Sequence, residues 1–258
     1  MTGASAARVL AGADGCRKGW VAVIRRNGQD EGPVVFARFS EMVAALGDDF
    51  ILAVDMPMGL PDRAGSGGRG PERLVRTKLR HRQSAVFSVP SRAAVEAESP
   101  EGLSWEEALT AHRRASRVAR ETSDPPRGVS IQAFFLFPKI REIDGILRER
   151  PDLRDKVIES HPEVAFWQLR GGLEMDTPKK VKGKVNPEGM AERRSLLAGK
   201  GIAPHVLHAP APAGAGEDDC LDAMACLLVA ERHAQGIAQP FPDPPGRDRH
   251  GIAMAIWV

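Results

Sequence analysis

The sequence predicts an α/β protein: a sheet built mainly from the first 55 residues and covered by helices from the rest of the chain. Three observations carry this reading. Strand-length apolar segments recur at 8–13, 20–24 and 34–39, separated by turn residues. F-I-L-A-V-D at 50–55 is a continuous apolar run ending in an acid, which suits a central strand covered on both faces. Near the C-terminus, D-C-L-D-A-M-A-C-L-L-V-A at 219–230 is an apolar helix without a breaker.

The elements follow in order. R-V-L-A-G-A at 8–13 reads as a first strand running into Asp14. D-G-C-R-K-G turns it back into a second strand, W-V-A-V-I at 20–24. N-G-Q-D-E-G-P at 27–33 reads as a loop, and V-V-F-A-R-F at 34–39 as a third strand. Ser40 is placed to cap a short helix, E-M-V-A-A-L-G. Residues 60–153 break the pattern and read as a mostly helical insertion after the fourth strand. It holds a Gly-rich loop at 61–71, a basic helix at 72–82, a helix near 102–121, and one at 131–150 that Pro138 should kink or break. K-V-I-E-S-H at 156–161 resumes the sheet. P-E-V-A-F-W-Q-L at 162–169 is a helix with Pro162 at its first position. Residues 171–186 read as loop, 187–198 as helix and 209–216 as a linker; G-I-A-M-A-I-W-V at the end reads as an edge strand. No internal repeat is found. The expected organisation is one domain over 1–258, with a core of 1–59 and 154–258.

Bulk composition bounds the function without naming it. A hydrophobic content of 42%, a charged content of 27% and a net charge of +2 are ordinary for a soluble globular chain. The opening M-T-G-A-S-A-A-R-V-L lacks a signal-peptide core, and no apolar run reaches the ~20 residues that span a bilayer. Cys16, Cys220 and Cys226 are odd in number and form no C-x-x-C pair. That points to reduced thiols in a cytoplasmic protein and away from a zinc site.

The acids carry the chemistry. Asp14 and Asp55 each end a strand, and ligands bind outside the carboxyl ends of strands in open α/β sheets. In parallel neighbours about 5 Å apart, the two carboxylates face one space and repel unless a cation lies between them. Asp219 and Asp222 share a stripe of the apolar helix with Ala223, Cys226 and Ala230. Capping explains Glu217 and Asp218, and is one of two readings of Asp219, the other being a ligand. Asp222 lies past the orphan N–H groups and needs donors or a cation. Four converging acids would suit Mg²⁺ or Mn²⁺, which takes a few carboxylates and leaves room for water and phosphate. On an extended segment Glu159 and His161 point to one face. Glu159 is a candidate ligand, and His161 a candidate to orient water or phosphate; alternatively, His161 and Glu163 satisfy backbone groups around Pro162.

A meander of three strands, a helix, further strands and a C-terminal helix, with acids at these positions, resembles the RNase H-like order. The D-x-x-D-A spacing at Asp219, Asp222 and Ala223 is similar to RuvC-type resolvases, although those enzymes usually have Glu where Asp55 stands. Over nearly the whole chain the sequence resembles the family catalogued as domain of unknown function 429, described as predicted nucleases of RNase H fold. The matching stretches are G-A-D-G-C-R-K-G-W at 12–20, V-D-M-P-M-G-L at 54–60, V-F-S-V-P-S-R at 86–92, Q-A-F-F-L-F-P-K-I-R-E-I-D at 132–144, E-S-H-P-E-V-A-F at 159–166 and D-D-C-L-D-A at 218–223. The resemblance implies a five-stranded mixed sheet and a metal-dependent nuclease that leaves a 5′-phosphate. The expected mechanism uses two divalent ions ~4 Å apart on Asp14, Asp55, Asp219 and Asp222. Asp218, Lys139 and Arg92 fall inside these stretches and are candidates for the surroundings of the site or for substrate contact.

The insertion adds a candidate nucleic-acid surface. Between Arg63 and Arg82 stand seven Arg or Lys against one acid, Glu72; Arg73, Arg76 and Arg80 share a helical face, and K-K-V-K-G-K at 179–184 adds four lysines. A solvated helix face explains the same charges. G-S-G-G-R-G at 65–70 matches a dinucleotide pattern but does not directly follow a strand, and reads as a flexible loop with a lid as the alternative. Two other function classes stay open: an actin- or sugar-kinase-like phosphotransferase, whose first phosphate loop Asp14-Gly15 resembles, and a binding module with a degenerate site. Substrate type and oligomeric state, including a homodimer, are not readable from the residues.

Overall fold

The computed structural model describes residues 8–258. Met1–Ala7, and with them most of the segment read as lacking a signal-peptide core, lie outside the described residues. In chain order come β1 (Val9–Cys16), β2 (Gly19–Arg26), β3 (Gln29–Phe36), α1 (Phe39–Leu46) and β4 (Phe50–Asp55). Then follow α2 (Gly70–Arg76), α3 (Arg92–Ala97), α4 (Trp105–Glu121) and α5 (Ile131–Glu149). Next are β5 (Val157–Glu159), α6 (Pro162–Leu169), β6 (Lys180–Val181), β7 (Lys184–Val185), α7 (Pro187–Gly199) and α8 (Pro204–Leu207). The described chain closes with α9 (Glu217–Ala234), β8 (Pro240–Arg247) and β9 (Ala253–Trp257). Two compact units result: one of residues up to Asp55, Asp155–Gln239 and Trp257–Val258, the other of Met56–Arg154 and Pro240–Ile256.

The first unit is built on a mixed five-stranded sheet in the order β3-β2-β1-β4-β5, flanked by helices, consistent with an RNase H-like arrangement. β1–β2 and β2–β3 are antiparallel; β1–β4 and β4–β5 are parallel. β4 therefore has a partner on each edge, and its residues 50–54 are all buried, as its unbroken apolar run requires. The first two hairpins are tighter than the residue pattern suggests. Asn27 and Gly28 both take positive φ, +49° and +77°, so a two-residue turn suffices. β3 begins at once at Gln29, where a loop to Pro33 was expected. The pair Arg25–Asp30, in register across the hairpin at 2.6 Å, holds that start. Pro33 is tolerated because β3 is an edge strand. The third strand stops at Phe36, and Phe39 instead opens α1 and packs edge-on against Trp20 at 5.2 Å. Arg38, not Ser40, is thus the residue before the helix.

The helix α9 lies directly on the sheet. A Cβ placed on Gly12 would sit 2.0 Å from the Leu227 nitrogen and 2.1 Å from the Ala223 oxygen. Only glycine lets the helix backbone approach β1 this closely. Leu221 and Ala223–Ala230 of α9 share one core cluster with Cys16 of β1 and Val21 and Val23 of β2. Cys16, Cys220 and Cys226 are all buried free thiols.

In the second unit, α5 runs unbroken through Pro138, held by buried Phe134, Phe137, Ile140, Ile143 and Leu147. β8 escapes a sequence reading because it contains Pro240, Pro242, Pro244 and Pro245; it pairs with β9 in a separate two-stranded sheet. The terminal segment is therefore not an edge strand of the main sheet. Within the first unit, Trp257 makes one parallel bridge to Ser160. No described helix is long and apolar enough to cross a membrane.

Candidate metal centre

The site is assembled by three backbone facts. β1 and β4 run parallel with Asp14 opposite Asp55 in register, so the two carboxylates leave the sheet side by side. Gly12 and Asp14 alternate onto the same face of β1. Because α9 crosses that face at Gly12 through Ala223, the preceding residue, Asp222, is carried to Asp14. Ligand oxygens of Asp14, Asp55 and Asp222 all fall within 4.8 Å of one another. This cluster could bind a metal ion, and it explains an acid in the interior of an apolar helix. Asp222 is 2% exposed, and its Oδ1 is buried with no hydrogen-bond partner. Such an oxygen is costly unless it ligates a cation.

The electrostatics are those of like charges crowded out of water. Burial first, then the charges of Asp55 and Asp222, hold the Asp14 carboxyl well above the usual carboxylate range. Burial pushes Asp55 up to about 7 against the opposing pull of Lys179, with Glu163 and Asp219 adding to the rise. Burial likewise pushes Asp222 up to about 6, again opposed by Lys179 and aided by Asp55 and Glu163. Lys179 supplies the counter-charge: its Nζ donates to Asp222 Oδ2, and the acids hold its ammonium above the ordinary lysine range.

These shifts set a pH dependence with a definite sign. Metal binding must release whatever protons the carboxylates hold. Mn²⁺ affinity measured by calorimetry should rise steeply from pH 5.5 to 7.5, approaching about tenfold per pH unit for each proton displaced. A flat profile would show that the acids carry no protons to lose. The folded acids also bind protons more tightly than the unfolded chain. Without metal, the stability they allow is therefore full below about pH 4 and is lost as pH climbs through 6 to 7.

The remaining candidates divide. Asp219 lies outside the trio: its Oδ2 accepts from the Gly216 N–H at 2.8 Å and caps α9, while its charge still bears on Asp14 and Asp55. Glu159 is buried at the end of β5 in register with Val54, and is likewise not among the three. His161 is half-buried immediately before α6. Glu163 in the first turn of α6 is buried and accepts from Arg193 Nη2 at 2.7 Å. Asp218 is buried and pairs with Lys180 at 2.5 Å.

The candidates of the second unit have their own engagements. Arg92 is 1% exposed and bonds Asp144 and Asp248 at 2.5 and 2.7 Å, which makes it an internal ion-pair residue. Arg76 is turned onto the Val86 and Gly67 carbonyls and the Ser88 hydroxyl. α2 stops at Arg76, where Thr77 and Lys78 close back on Leu74 and Val75, so the expected Arg73–Arg76–Arg80 face does not form. Arg80 is exposed, and Lys139 is half-buried on α5.

Two contributors escaped the residue pattern. Lys179 was one of four lysines in a run that read as a phosphate-tracking patch, and nothing in that run separates the inward lysine from the outward ones. Arg193 is fully buried in a helix of mixed composition without a clear apolar stripe.

A family model described as protein of unknown function (DUF429) matches residues 12–247, which takes in Asp14, Asp55, Lys179 and Asp222. No curated protein and no solved structure matches the chain.

Proposed function

The chain belongs to the family of proteins of unknown function DUF429, and from that membership and the acid cluster we propose that it is a metal-dependent nuclease hydrolysing phosphodiester bonds. The observation that carries this reading is the meeting of Asp14, Asp55 and Asp222 within 4.8 Å, with the Asp222 Oδ1 lacking any donor. Oxygen-only ligands on rigid strand ends and a helix suit a hard divalent ion, Mg²⁺ or Mn²⁺. Bound there, one or two such ions would supply Lewis acidity to an attacking water and to the leaving oxygen.

The protein's own part is placement. β1 and β4 fix Asp14 and Asp55 through the sheet, and α9 fixes Asp222 through its contact at Gly12. Arg193 Nη2 donates to Glu163 and holds it where it acts on Asp55 and Asp222. Lys180, Lys182 and Lys184 give the β6–β7 hairpin a positive charge suited to a phosphate backbone. The substrate is accordingly a nucleic acid. A panel of labelled RNA, duplex DNA and branched DNA with Mn²⁺, set against EDTA, tests the reading. Cleavage should appear with the ion and vanish in Asp222→Ala; cleavage that survives both EDTA and that substitution would end the proposal.

A further inference from the structure

We propose that the Lys179 ammonium is a built-in occupant of the cation site, which a divalent ion must turn out before it can ligate Asp222. The proposal rests on the metal reading above and adds to it a competitor within the chain.

The placement of Lys179 is constructed rather than incidental. Its carbonyl accepts from the Asn186 N–H at 2.8 Å, and the preceding Pro178 carbonyl accepts from Asn186 Nδ2 at 3.0 Å. Gly189 presses against the same point: a Cβ there would meet the Pro178 oxygen at 2.2 Å. One residue earlier, the Thr177 carbonyl accepts from buried Arg193, which also holds Gly189 and Glu163. The backbone at 177–179 is thus pinned from several sides, and the side chain is delivered to Asp222 from a fixed base. Lys180 pairs with Asp218, so successive lysines engage acids four residues apart on α9.

One ammonium cannot neutralise three carboxylates, and Asp222 Oδ1 is still without a partner. A dication offers the cluster more charge and more ligand directions than a lysine can. With the ammonium on Asp222 Oδ2 and a dication on the open Oδ1, two positive charges would be crowded onto one buried carboxylate, so each works against the other. Because the backbone is pinned, the exchange is a side-chain rotation. The flexible lysine stem permits it, and with 26% of the side chain exposed the ammonium has a route to water. The contact therefore keeps the acids tolerable without metal and sets the ion concentration at which the site fills.

Calorimetric titration of the full chain with Mn²⁺ tests this, using Lys179→Met, Lys179→Gln and Lys179→Arg. Both neutral variants should bind at least about tenfold more tightly than the unsubstituted chain, within the range seen when groups around a metal site are changed, and the Arg variant should stay near it. Without metal, the neutral variants should melt earlier, and Mn²⁺ should raise their melting temperature by more. Earlier melting with unchanged or weaker Mn²⁺ affinity would make Lys179 a structural support and overturn the inference while leaving the metal site standing. Absence of binding in every protein, matching an Asp222→Asn blank, would overturn the metal reading and this inference together. Should both neutral variants fail to fold, the unsubstituted chain decides. Mg²⁺ must move the Lys179 side-chain NMR signals to those of a solvent-exposed lysine, and unmoved signals overturn the proposal.

Discussion

Asp14→Asn is expected to make the metal-free protein more stable at pH 8 and, at the same time, to abolish the stabilisation conferred by Mn²⁺. The two signs have one cause. Asp14 is buried beside Asp55 and Asp222, and its carboxyl is held well above the usual range by burial first and by those neighbours second. At pH 8 the unfolded chain ionises this group freely, whereas the folded chain must carry the charge at a cost. The amide keeps the shape and removes the repulsion. It also removes a ligand that a divalent ion cannot replace. For the unsubstituted protein, Mn²⁺ at a hundred times its dissociation constant should add about 2.7 kcal/mol. At about 2–4 °C per kcal/mol for a chain of this size, that is a rise of roughly 5–10 °C. Melting curves in EDTA and in Mn²⁺ read both effects. A variant that melts earlier in EDTA, or keeps the Mn²⁺ rise, would mean that Asp14 is a structural acid held by donors rather than a ligand.

The second large effect is expected at Gly12. Gly12→Ala puts a methyl group 2.0 Å from the Leu227 nitrogen and 2.1 Å from the Ala223 oxygen. Both are backbone atoms of α9, so no side chain can step aside and the helix itself must lift. Overpacking of this kind costs about 3 kcal/mol or more, which corresponds to roughly 6–12 °C in melting temperature. The same displacement carries Asp222 away from Asp14, so Mn²⁺ affinity should fall with stability. Gly28→Ala is the matched control. It has open space around it and only a φ of +77° to strain, and should cost about 1 kcal/mol with no effect on metal. Equal losses at the two positions would show that α9 does not depend on the close approach.

What the residue pattern reveals, and what it hides, follows from the range over which each feature is determined. Asp14 and Asp55 could be paired from sequence because each ends an apolar strand, and strand ends of parallel neighbours meet by topology. Asp222 stood out because an acid inside an apolar helix needs an explanation. Asp219 sits on the same stripe, yet its carboxylate is used locally, on the Gly216 N–H three residues away; spacing alone does not distinguish a cap from a ligand. β3 was misplaced because the Asn27-Gly28 turn is shorter than the polar run that follows it. β8 was hidden by prolines that an isolated two-stranded sheet accepts and a central strand would not. The inward turn of Lys179 depends on Asn186, Gly189 and Arg193, residues 7 to 14 positions further on, and no periodicity connects them.

The second unit's buried ion cluster has a consequence for the order of events during synthesis. Arg92 and Asp144 leave the ribosome with the 56–154 segment, but Asp248, which also accepts from the Leu60 N–H, arrives about a hundred residues later. Until then one N–H of the Arg92 Nη2 group, whose other bond goes to Asp144, and the Leu60 N–H wait for an acceptor that has yet to be translated. Nascent chains interrupted between Asp155 and Asp248 would therefore present this unit in a loosened, protease-sensitive form, even when the strands and helices of 56–154 are all in hand.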